Sequence, residues 1–396
     1  MGTIGDYAYF QNGYAFKSKD FLPTGEYRVI KIKELKDGEV RFSNDTACVD
    51  YIDGMDKFIV NDGDVLFALT GDPVSKPNPL SWVGRVSLYR ENYKTVLNQR
   101  VCKLIPKEGV NPQYLYYFFR NDVEFYQLAK KATGSASQAN ISTKTIEDTE
   151  INLPDLQYQN KVVDILSTLD HKIKNNEQIN NNLSAQARAI FLNYFVNIAS
   201  IPNGWQKGCL LDIANYLNGL AMQKYRPHND EEGLHVLKIK ELRQGSCDES
   251  SELCSPNIKP EYIISDGDVV FSWSGSLLID IWCGGTCGLN QHLFKVTSDT
   301  YDKWFYYLWT SHHLDRFIAI AADKATTMGH IKREDLAKAE VLIPNETDYK
   351  EIGAVIKPLL ELIISNRLEA RKPVAIRDKL LPKLLSGEID VSEVAL

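Results

Sequence analysis

Apolar and polar residues alternate over short stretches of this chain and take a helical spacing over two long ones. In "YRVIKIKEL" at residues 27–35, apolar and charged side chains alternate with a period of two, which predicts a half-buried strand. "DGDVLFAL" at 62–69 predicts a tight Asp-Gly turn followed by a strand. "QRVCKLIP" at 99–106 predicts another strand. "NPQYLYYFF" at 111–119 predicts a helix with Pro112 in its first turn and its aromatic residues in the core.

The two long helical stretches carry apolar residues at alternating steps of four and three, the pattern of a coiled-coil seam. The first seam consists of Val162, Leu166, Leu169, Ile173, Leu183, Ala187, Ile190 and Tyr194, with polar rungs at Asn176 and Asn180. The second consists of Ile352, Ile356, Leu359, Ile363, Asn366, Ala370, Leu380 and Leu384. A buried asparagine fixes helix register at a cost in stability, so Asn176 and Asn366, at equivalent rungs, are predicted to set the register. They are predicted to face each other if the pseudo-two-fold axis passes near them. Pro373 falls on the second seam and predicts a kink or a break there.

The same landmarks occur twice along the chain in the same order. The pairs are "IGDYAYFQNGYA" (4–15) with "LLDIANYLNGLA" (210–221), "VIKIKELKDG" (29–38) with "VLKIKELRQG" (236–245), "DGDVLF" (62–67) with "DGDVVF" (266–271), "LNQ" (97–99) with "LNQ" (289–291), and "ISTKTIEDTEINLP" (141–154) with "IKREDLAKAEVLIP" (331–344). A repeat of this length indicates duplication of a whole domain rather than a solenoid.

The predicted fold class is therefore α+β, with two pseudo-two-fold-related mixed α/β domains joined by two long antiparallel coiled-coil helices. We place the first domain at residues 1–155, a central spacer helix at 156–199, the second domain at 200–345 and a C-terminal spacer helix at 346–396. Each seam would extend about 48 Å at the helical rise of about 1.5 Å per residue. Such helices would hold the domains at a fixed spacing.

Composition narrows the functional classes. The 396 residues are 44% hydrophobic and 24% charged, as in ordinary globular proteins. No apolar run is long enough to span a membrane, and no secretory signal precedes the first domain, which together favour a cytoplasmic protein with no membrane partner. The seven cysteines lack zinc-site spacing and predict reduced thiols. Because no glycine-rich nucleotide motif and no catalytic constellation is readable, we predict neither a catalytic residue nor a bound metal.

The net charge of −7 restricts any nucleic-acid function. Non-specific DNA affinity comes largely from neutralising phosphates, and no segment of this chain carries a large positive charge. A DNA-binding role would therefore require either basic residues gathered on one face or positive charge supplied by partner proteins.

Two related domains held apart by a rigid spacer indicate a protein that recognises two half-sites on DNA. The landmarks shared by both copies are scaffold, whereas loops 17–26 and 70–82 differ from their counterparts 223–233 and 274–286. Asparagine and glutamine can pair with adenine, and arginine and lysine with guanine. The predicted DNA-binding residues are Lys17, Lys31, Lys33, Thr70, Ser75, Lys76, Asn78, Trp82, Gln99, Arg100, Lys224, Tyr225, Arg226, Lys238, Lys240, Ser274, Ser276, Gln291 and His292.

The order of these duplicated motifs resembles the specificity (S) subunits of type I restriction–modification systems. The resemblance covers nearly all of the chain and is carried by "DGDVLFALTG" and "DGDVVFSWSG", by both "LNQ" motifs, by the helix entries "INLPDLQYQNKVVDILSTLDHKI" and "VLIPNETDYKEIGAVIKPLLELI", and by the terminal "KLLPKLLSGEI". The second helix entry departs from the first because it lacks the glutamine of "LPDLQYQ".

The resemblance implies a division of labour in phage defence. One target recognition domain reads each half of a split double-stranded DNA sequence, and the helices dock two methyltransferase (M) subunits. S-adenosylmethionine, ATP and Mg would be bound by those partners and by motor-nuclease (R) subunits, and none by this chain. The chain itself would be non-catalytic, and the partners would supply the positive charge that it lacks.

Three other functions are compatible with the motifs alone. The chain could recognise DNA for another methyltransferase-based defence system, it could be a self-contained DNA methyltransferase or nuclease, or it could be an assembly scaffold with no DNA role. Binding of S-adenosylmethionine by the isolated chain would favour the enzyme. Failure to bind any duplex with its methyltransferase partners present would favour the scaffold.

Overall fold

The computed structural model describes residues 2–76, 78–135, 137–228, 231–323 and 329–391. One residue of loop 70–82, two of loop 223–233 and five of the C-terminal spacer segment lie outside these ranges. Contacts divide the chain into a first unit, Met1–His171 with Val374–Leu396, and a second unit, Lys172–Pro373. Each unit therefore contains a mixed α/β domain and part of both long helices.

The first unit is built around a six-stranded sheet. Its strands, in spatial order, are Ala8–Asn12, Val101–Pro106, Val65–Ala68, Val86–Leu88, Glu39–Val40 and Leu35–Lys36. Smaller sheets consist of Thr95–Leu97, Tyr27–Ile30 and Cys48–Val49; of Thr133–Ser135, Gln138–Asn140 and Thr70–Gly71; and of Gly2–Thr3 and Glu150–Ile151. The α-helices before the first long helix are Ile4–Tyr7, Pro112–Arg120, Asp122–Lys130 and Thr143–Glu147.

The second unit repeats the central part of this arrangement. One four-stranded sheet runs Asn215–Asn218, Leu293–Thr297, Val269–Ser272 and Leu278–Ile281, and another runs Leu253–Cys254, Leu234–Leu237, Cys287–Leu289 and Ile263–Ile264. Gln206–Cys209 pairs with Glu340–Ile343. The shorter α-helices are Leu210–Ile213, Ile239–Gln244, Lys303–His312, Leu314–Asp323 and Arg333–Ala337. The predicted mixed α/β domains with two long helices are confirmed.

The duplicated "DGDV" sequence is explained by one half-buried aspartate in each unit. Asp64 accepts a hydrogen bond from the backbone N–H of Asn61 at 2.8 Å and pairs with Lys103 on the neighbouring strand at 3.0 Å. Asp268 makes the same contacts, with the N–H of Ser265 at 2.8 Å and with Lys295 at 2.9 Å. A partly buried carboxylate with both a backbone donor and a cationic partner is well stabilised. The turn and the strand "VLFA" after it, Val65–Ala68, follow the prediction.

The predicted strand over "YRVIKIKEL" is correct only for its first half. The strand ends at Ile30, and Ile32–Glu34 forms a 3₁₀ turn because the Glu34 carboxylate accepts the Lys31 N–H at 3.0 Å. In the second unit Glu241 accepts the N–H of Lys238 at 3.2 Å, at the start of the helix Ile239–Gln244. A side chain that bonds to nearby backbone competes with strand pairing, and here it overrides the alternating pattern.

The aromatic run at 116–119 forms core, as predicted. Pro112 is the first residue of the helix Pro112–Arg120, and Asn111 caps it by accepting the N–H of Gln113 at 2.9 Å. All four aromatic side chains of the run are at most 8% exposed. The counterpart Lys303–His312 buries Trp304, Phe305 and Trp309 in the core of the second unit in the same way.

The central helix spans Leu156–Phe191 and widens into a π-turn at Leu192–Val196. The π-turn carries one more residue per turn than an α-helix and so rotates the later side chains. For this reason the predicted seam position Tyr194 is 43% exposed, and Phe195 is buried instead. The last position of the seam was therefore predicted wrongly, whereas Ala187 and Ile190 before it lie in or against the core.

The C-terminal helix spans Glu346–Ser386 and is continuous through Pro373, so the predicted break is wrong. Within the second unit it packs antiparallel to the central helix, because Asn366 contacts Asn180 whereas Ile352 and Ile356 share a core with Ala187 and Phe191, later in the central helix. Within the first unit, Tyr158 and Asp170 of the central helix bond to Leu384 and Arg377 respectively, which is also an antiparallel order.

The asparagine contact in this seam differs from the predicted one. Asn366 donates from Nδ2 to Oδ1 of Asn180 at 3.1 Å, and Asn180 lies one turn beyond Asn176. The predicted equivalence of Asn176 and Asn366 on their seams placed the contact one turn too early. All seven cysteines are free thiols, and no helix in the described ranges is long and apolar enough to cross a membrane.

The asparagine register can be tested by a double-mutant cycle on chemical unfolding. Replacing Asn180 and Asn366 with alanine, singly and together, should give a coupling free energy of about 1 kcal/mol, the net value of one hydrogen bond. The matched cycle on Asn176 and Asn366 should give additive changes. Coupling of Asn366 to Asn176 in place of Asn180 would contradict the observed register.

Candidate nucleic-acid interface

Each unit contains a close crossing of two backbone segments that only glycine permits. Gly13 of "QNG" passes the first "LNQ" motif so closely that a Cβ there would lie 2.2 Å from the carbonyl oxygen of Asn98. Gly219 of "LNG" passes the second motif, where a Cβ would lie 2.3 Å from the carbonyl oxygen of Asn290. Both distances are far below van der Waals contact, so the "LNQ" motif can take this position only because the motif beside it has a glycine.

The crossing is completed by matched backbone hydrogen bonds. In the first unit the N–H of Tyr14 donates to the carbonyl of Leu97 and the N–H of Gln99 donates to the carbonyl of Tyr14, both at 2.9 Å. In the second unit the N–H of Leu220 donates to Leu289 at 2.9 Å, and the N–H of Gln291 donates to Leu220 at 2.8 Å. The residues that follow each "LN" pair therefore emerge at the same place in both units.

Two further segments lie beside this turn in each unit. In the first unit the N–H of Leu69 donates to the carbonyl of Arg100 at 2.9 Å, and the N–H of Ile141 donates to Leu69 at 3.0 Å. In the second unit the N–H of Trp273 donates to His292 at 3.4 Å, and that of Ile331 to Trp273 at 3.0 Å. We call the polar residues on these three segments the polar platform. It comprises Thr70, Gln99, Arg100 and Asn140 in the first unit, and Ser274, Gln291, His292 and His330 in the second.

The platform of the first unit combines one fixed pair with two open side chains. The Thr70 hydroxyl donates to Oδ1 of Asn140 at 2.9 Å, which orients the amide. Gln99 and Arg100 are both exposed. An amide and a guanidinium on one surface are the groups that recognise adenine and guanine edges in the major groove.

The platform of the second unit has the same backbone and different side chains. Ser274 Oγ lies 3.0 Å from His292 Nδ1, and Gln291 Nε2 lies 3.4 Å from His292 Nε2. Trp273 lies beneath them and donates from Nε1 to Oδ1 of Asn218 at 3.0 Å. The imidazole and the amide are therefore oriented by neighbours rather than free to rotate.

Loop 70–82 divides into residues that shape it and residues that it presents. Asn78 Oδ1 accepts the N–H of Leu80 at 3.1 Å, and Trp82 Nε1 donates to the carbonyl of Lys76 at 2.8 Å. Trp82 also packs against Tyr126, with ring centroids 6.0 Å apart. The side chains of Ser75 and Lys76 are exposed at the loop surface.

The second lysine of each "KIKEL" motif is paired with a carboxylate. Lys33 lies 2.9 Å from Asp45 and Lys240 lies 3.5 Å from Asp248. Hydrogen bonds from Ser43 and Lys33 lower the pKa of Asp45 to about 2. A hydrogen bond from Ser250 is the main cause that lowers the pKa of Asp248 to about 2. Both carboxylates are ionised at neutral pH and hold their lysines in ion pairs.

The remaining predicted residues are distributed over separate surfaces. Lys238 and Arg226 both pair with Glu252, and Nζ of Lys31 lies 3.7 Å from the centroid of the Phe21 ring. Four others are exposed without joining the polar platform through any contact described above: Lys17, Lys224, Tyr225 and Ser276.

The sequence prediction missed Asn140 and His330, which the structure places on the polar platforms. Each precedes a shared landmark directly, "ISTKTIEDTEINLP" or "IKREDLAKAEVLIP". The rule that selected the loops, a differing residue beside a shared landmark, would also have selected these two. No group of three or more histidine, cysteine, aspartate or glutamate side chains within the described ranges could hold a metal ion.

Comparisons with family models, with individual proteins and with solved structures all indicate the same protein family. The model described as "Type I restriction modification DNA specificity domain" matches residues 1–185 and, a second time, residues 202–375. The two matches cover the two copies of the internal repeat.

Individual relatives have low sequence identity to this chain, but they match it over most of its length and of their own. The type I restriction enzyme MjaIX specificity subunit of Methanocaldococcus jannaschii is 26% identical over 337 residues, which cover 79% of this chain and 76% of that protein. The putative MjaX specificity subunit of the same organism is 22% identical over 92% of this chain and 88% of its own length. The crystal structure of the type I restriction–modification S subunit of M. genitalium has a TM-score of 0.56 at 15% identity, covering 98% of this chain and 96% of that one, which shows a shared fold.

The glycine crossing predicts a large loss of stability for a small substitution. Gly13→Ala and Gly219→Ala should each destabilise the protein by about 3 kcal/mol, since the added methyl group meets backbone that has to move. Gly54→Ala is the comparison, because Gly54 has a φ of 81° but nothing within 4 Å of an added Cβ. It should cost only the left-handed backbone strain, about 1–2 kcal/mol. Equal losses of unfolding free energy in the three variants would contradict the crossing.

Proposed function

This chain belongs to the type I restriction–modification DNA specificity family, and we propose that it reads a two-part, asymmetric DNA target with one unit for each half. Members of this family are the non-catalytic components that recognise the DNA sequence. The observation that carries the proposal is the polar platform, in which equivalent backbone segments present different side chains in the two units.

The proposed base contacts follow from the chemistry of each platform. In the first unit Arg100 is suited to the O6 and N7 acceptors of guanine, and Gln99 and Asn140 to adenine. In the second unit His292 stands in place of the arginine. Its imidazole is smaller than a guanidinium and has one N–H donor when neutral and two when protonated. The two half-sites therefore differ in sequence although they are read in the same geometry.

We further propose that two methyltransferase subunits dock on the long helices. Val355 and Leu362 are 49% and 46% exposed, and a separation of seven residues places them on one face of the C-terminal helix. Exposed large apolar side chains on one helix face are typical of a protein contact. S-adenosylmethionine would be bound by those subunits, and ATP and Mg by motor-nuclease subunits.

The charge of the chain supports this division of labour. The net charge is −7, and lysines 33, 238 and 240 are held in ion pairs with carboxylates. These three lysines are therefore not free to neutralise phosphates, and phosphate neutralisation supplies most of the non-specific DNA affinity. In the proposed complex the methyltransferase subunits contribute much of this charge, and the present chain contributes the sequence selection.

The function is tested by mapping methylated adenines in cells that express this chain with its methyltransferase partners. A split motif with two unlike halves separated by an unspecified spacer is the expected result. Methylation without a split motif, or none although the complex assembles, would contradict the proposal.

Exchanging the platform residues should change one half-site at a time. Arg100→His should alter the bases accepted in one half and His292→Arg those in the other, with a change in discrimination of about tenfold or more, as expected for one bidentate contact. Lys33→Gln is the control, since this lysine is paired with Asp45 and lies outside the platform. It should leave the methylated motif unchanged. A single exchange that altered both halves would contradict independent reading.

A further inference from the structure

The first unit has an open groove of about 600 Å³ that the platform does not use. Its walls come from residues 23–26, from residues 42–44, Thr46 and Cys48, and from Tyr93 and Lys94. Arg28, on the strand Tyr27–Ile30, lies among them. One wall therefore belongs to loop 17–26, which differs between the two copies of the repeat.

The guanidinium of Arg28 is held flat in this groove by two aromatic rings. Its central carbon lies 3.6 Å from the centroid of the Tyr93 ring and 5.1 Å from that of Phe42. The two rings meet edge to face at 5.7 Å. Stacking on aromatic faces fixes the plane of an arginine while leaving its N–H groups at the edge available.

Those N–H groups have no acceptor among the residues that the structure describes. Within the described ranges, no hydrogen bond or ion pair joins the Arg28 guanidinium to another residue. The other charged side chains of the groove, Lys94 and Glu26, neutralise each other in an ion pair of 2.6 Å. The net charge of the groove walls is therefore the single positive charge of Arg28.

The second unit lacks this arrangement. Its strand Leu234–Leu237 pairs in parallel with Cys287–Leu289, with His235 opposite Cys287, as Arg28 lies opposite Thr95 in the first unit. His235 thus replaces Arg28, and Gly285 stands two residues before Cys287, where the first unit has Tyr93 before Thr95. Neither a guanidinium nor a tyrosine ring occupies these positions.

We infer that Arg28 forms a phosphate-binding site that grips the DNA backbone beside the half-site read by the first unit only. A planar guanidinium with free N–H groups matches two oxygens of a phosphate. The inference rests on the proposed DNA recognition and adds a contact that positions the duplex without selecting bases.

The test measures DNA affinity of the assembled complex with its methyltransferase subunits against salt concentration. Arg28→Gln should weaken binding about tenfold and reduce the slope of log affinity against log salt by about 0.9, the value for one phosphate contact. The loss should be equal for the cognate and unrelated duplexes. Arg28→Lys, which keeps the charge but not the plane, should retain most of the salt slope and lose part of the affinity.

Two controls separate this site from general charge and from folding. Arg41→Gln removes the same charge from an exposed arginine outside the groove, and it should change affinity less than Arg28→Gln. Equal unfolding midpoints of the variants and the parent exclude a folding defect. Inorganic phosphate that bound the parent complex at Arg28 without displacing any DNA would make the site one for a free anion and would overturn the inference.

A neutral methylphosphonate placed at each backbone position in turn locates the contact. One position beside a single half-site should weaken the parent complex and have no further effect on Arg28→Gln. If the parent complex binds DNA but Arg28→Gln matches it in affinity and salt slope, the inference is wrong and DNA recognition stands. If the parent complex binds no duplex, both the proposed function and the inference are wrong.

Discussion

The close approach of "QNG" or "LNG" to "LNQ" is the constraint on which the candidate interface of each unit depends. Because a Cβ at Gly13 or Gly219 would overlap a carbonyl oxygen, the chain that leaves the strand Ala8–Asn12 or Asn215–Asn218 can pass the "LNQ" turn only where a glycine stands. The bonds across this crossing fix the residues after "LN", and these in turn pair with the strand that follows the "DGDV" turn. The side chains of the platform are therefore free to vary, since the geometry is set entirely by backbone.

The parts that could be predicted from the sequence are those in which hydrophobic pattern and turn chemistry agree. The Asp-Gly turns, the strands after them and the helix at Pro112 are such cases, because burial and local preference favour the same structure. The "KIKEL" motif could not be predicted in this way. Its alternation suits a strand, but the Glu34 carboxylate bonds to the N–H of Lys31 and turns the chain, a local bond that a periodicity cannot reveal.

The helix seam shows a second limit. Its apolar spacing identifies two long antiparallel helices, but the contact register depends on where each helix departs from regular α geometry. The π-turn at Leu192–Val196 rotates Phe195 into the core in place of Tyr194, and Asn366 meets Asn180 rather than Asn176. One turn of displacement still leaves an asparagine on the seam, because Asn176 and Asn180 both lie on it. A sequence with two polar rungs a turn apart therefore cannot by itself indicate which one is paired.

The electrostatics of the domains connect this fold to its proposed dependence on partners. Asp45 pairs with Lys33 and Asp248 pairs with Lys240, so both carboxylates use cations that phosphates would otherwise bind. A lysine held in such a pair adds little to non-specific affinity, since that affinity depends on cations free to replace counterions. The binding of the domain would then be dominated by base contacts and by whatever charge a partner adds. A specificity protein of this kind would bind DNA firmly only after assembly, when sequence selection and phosphate neutralisation come from different chains.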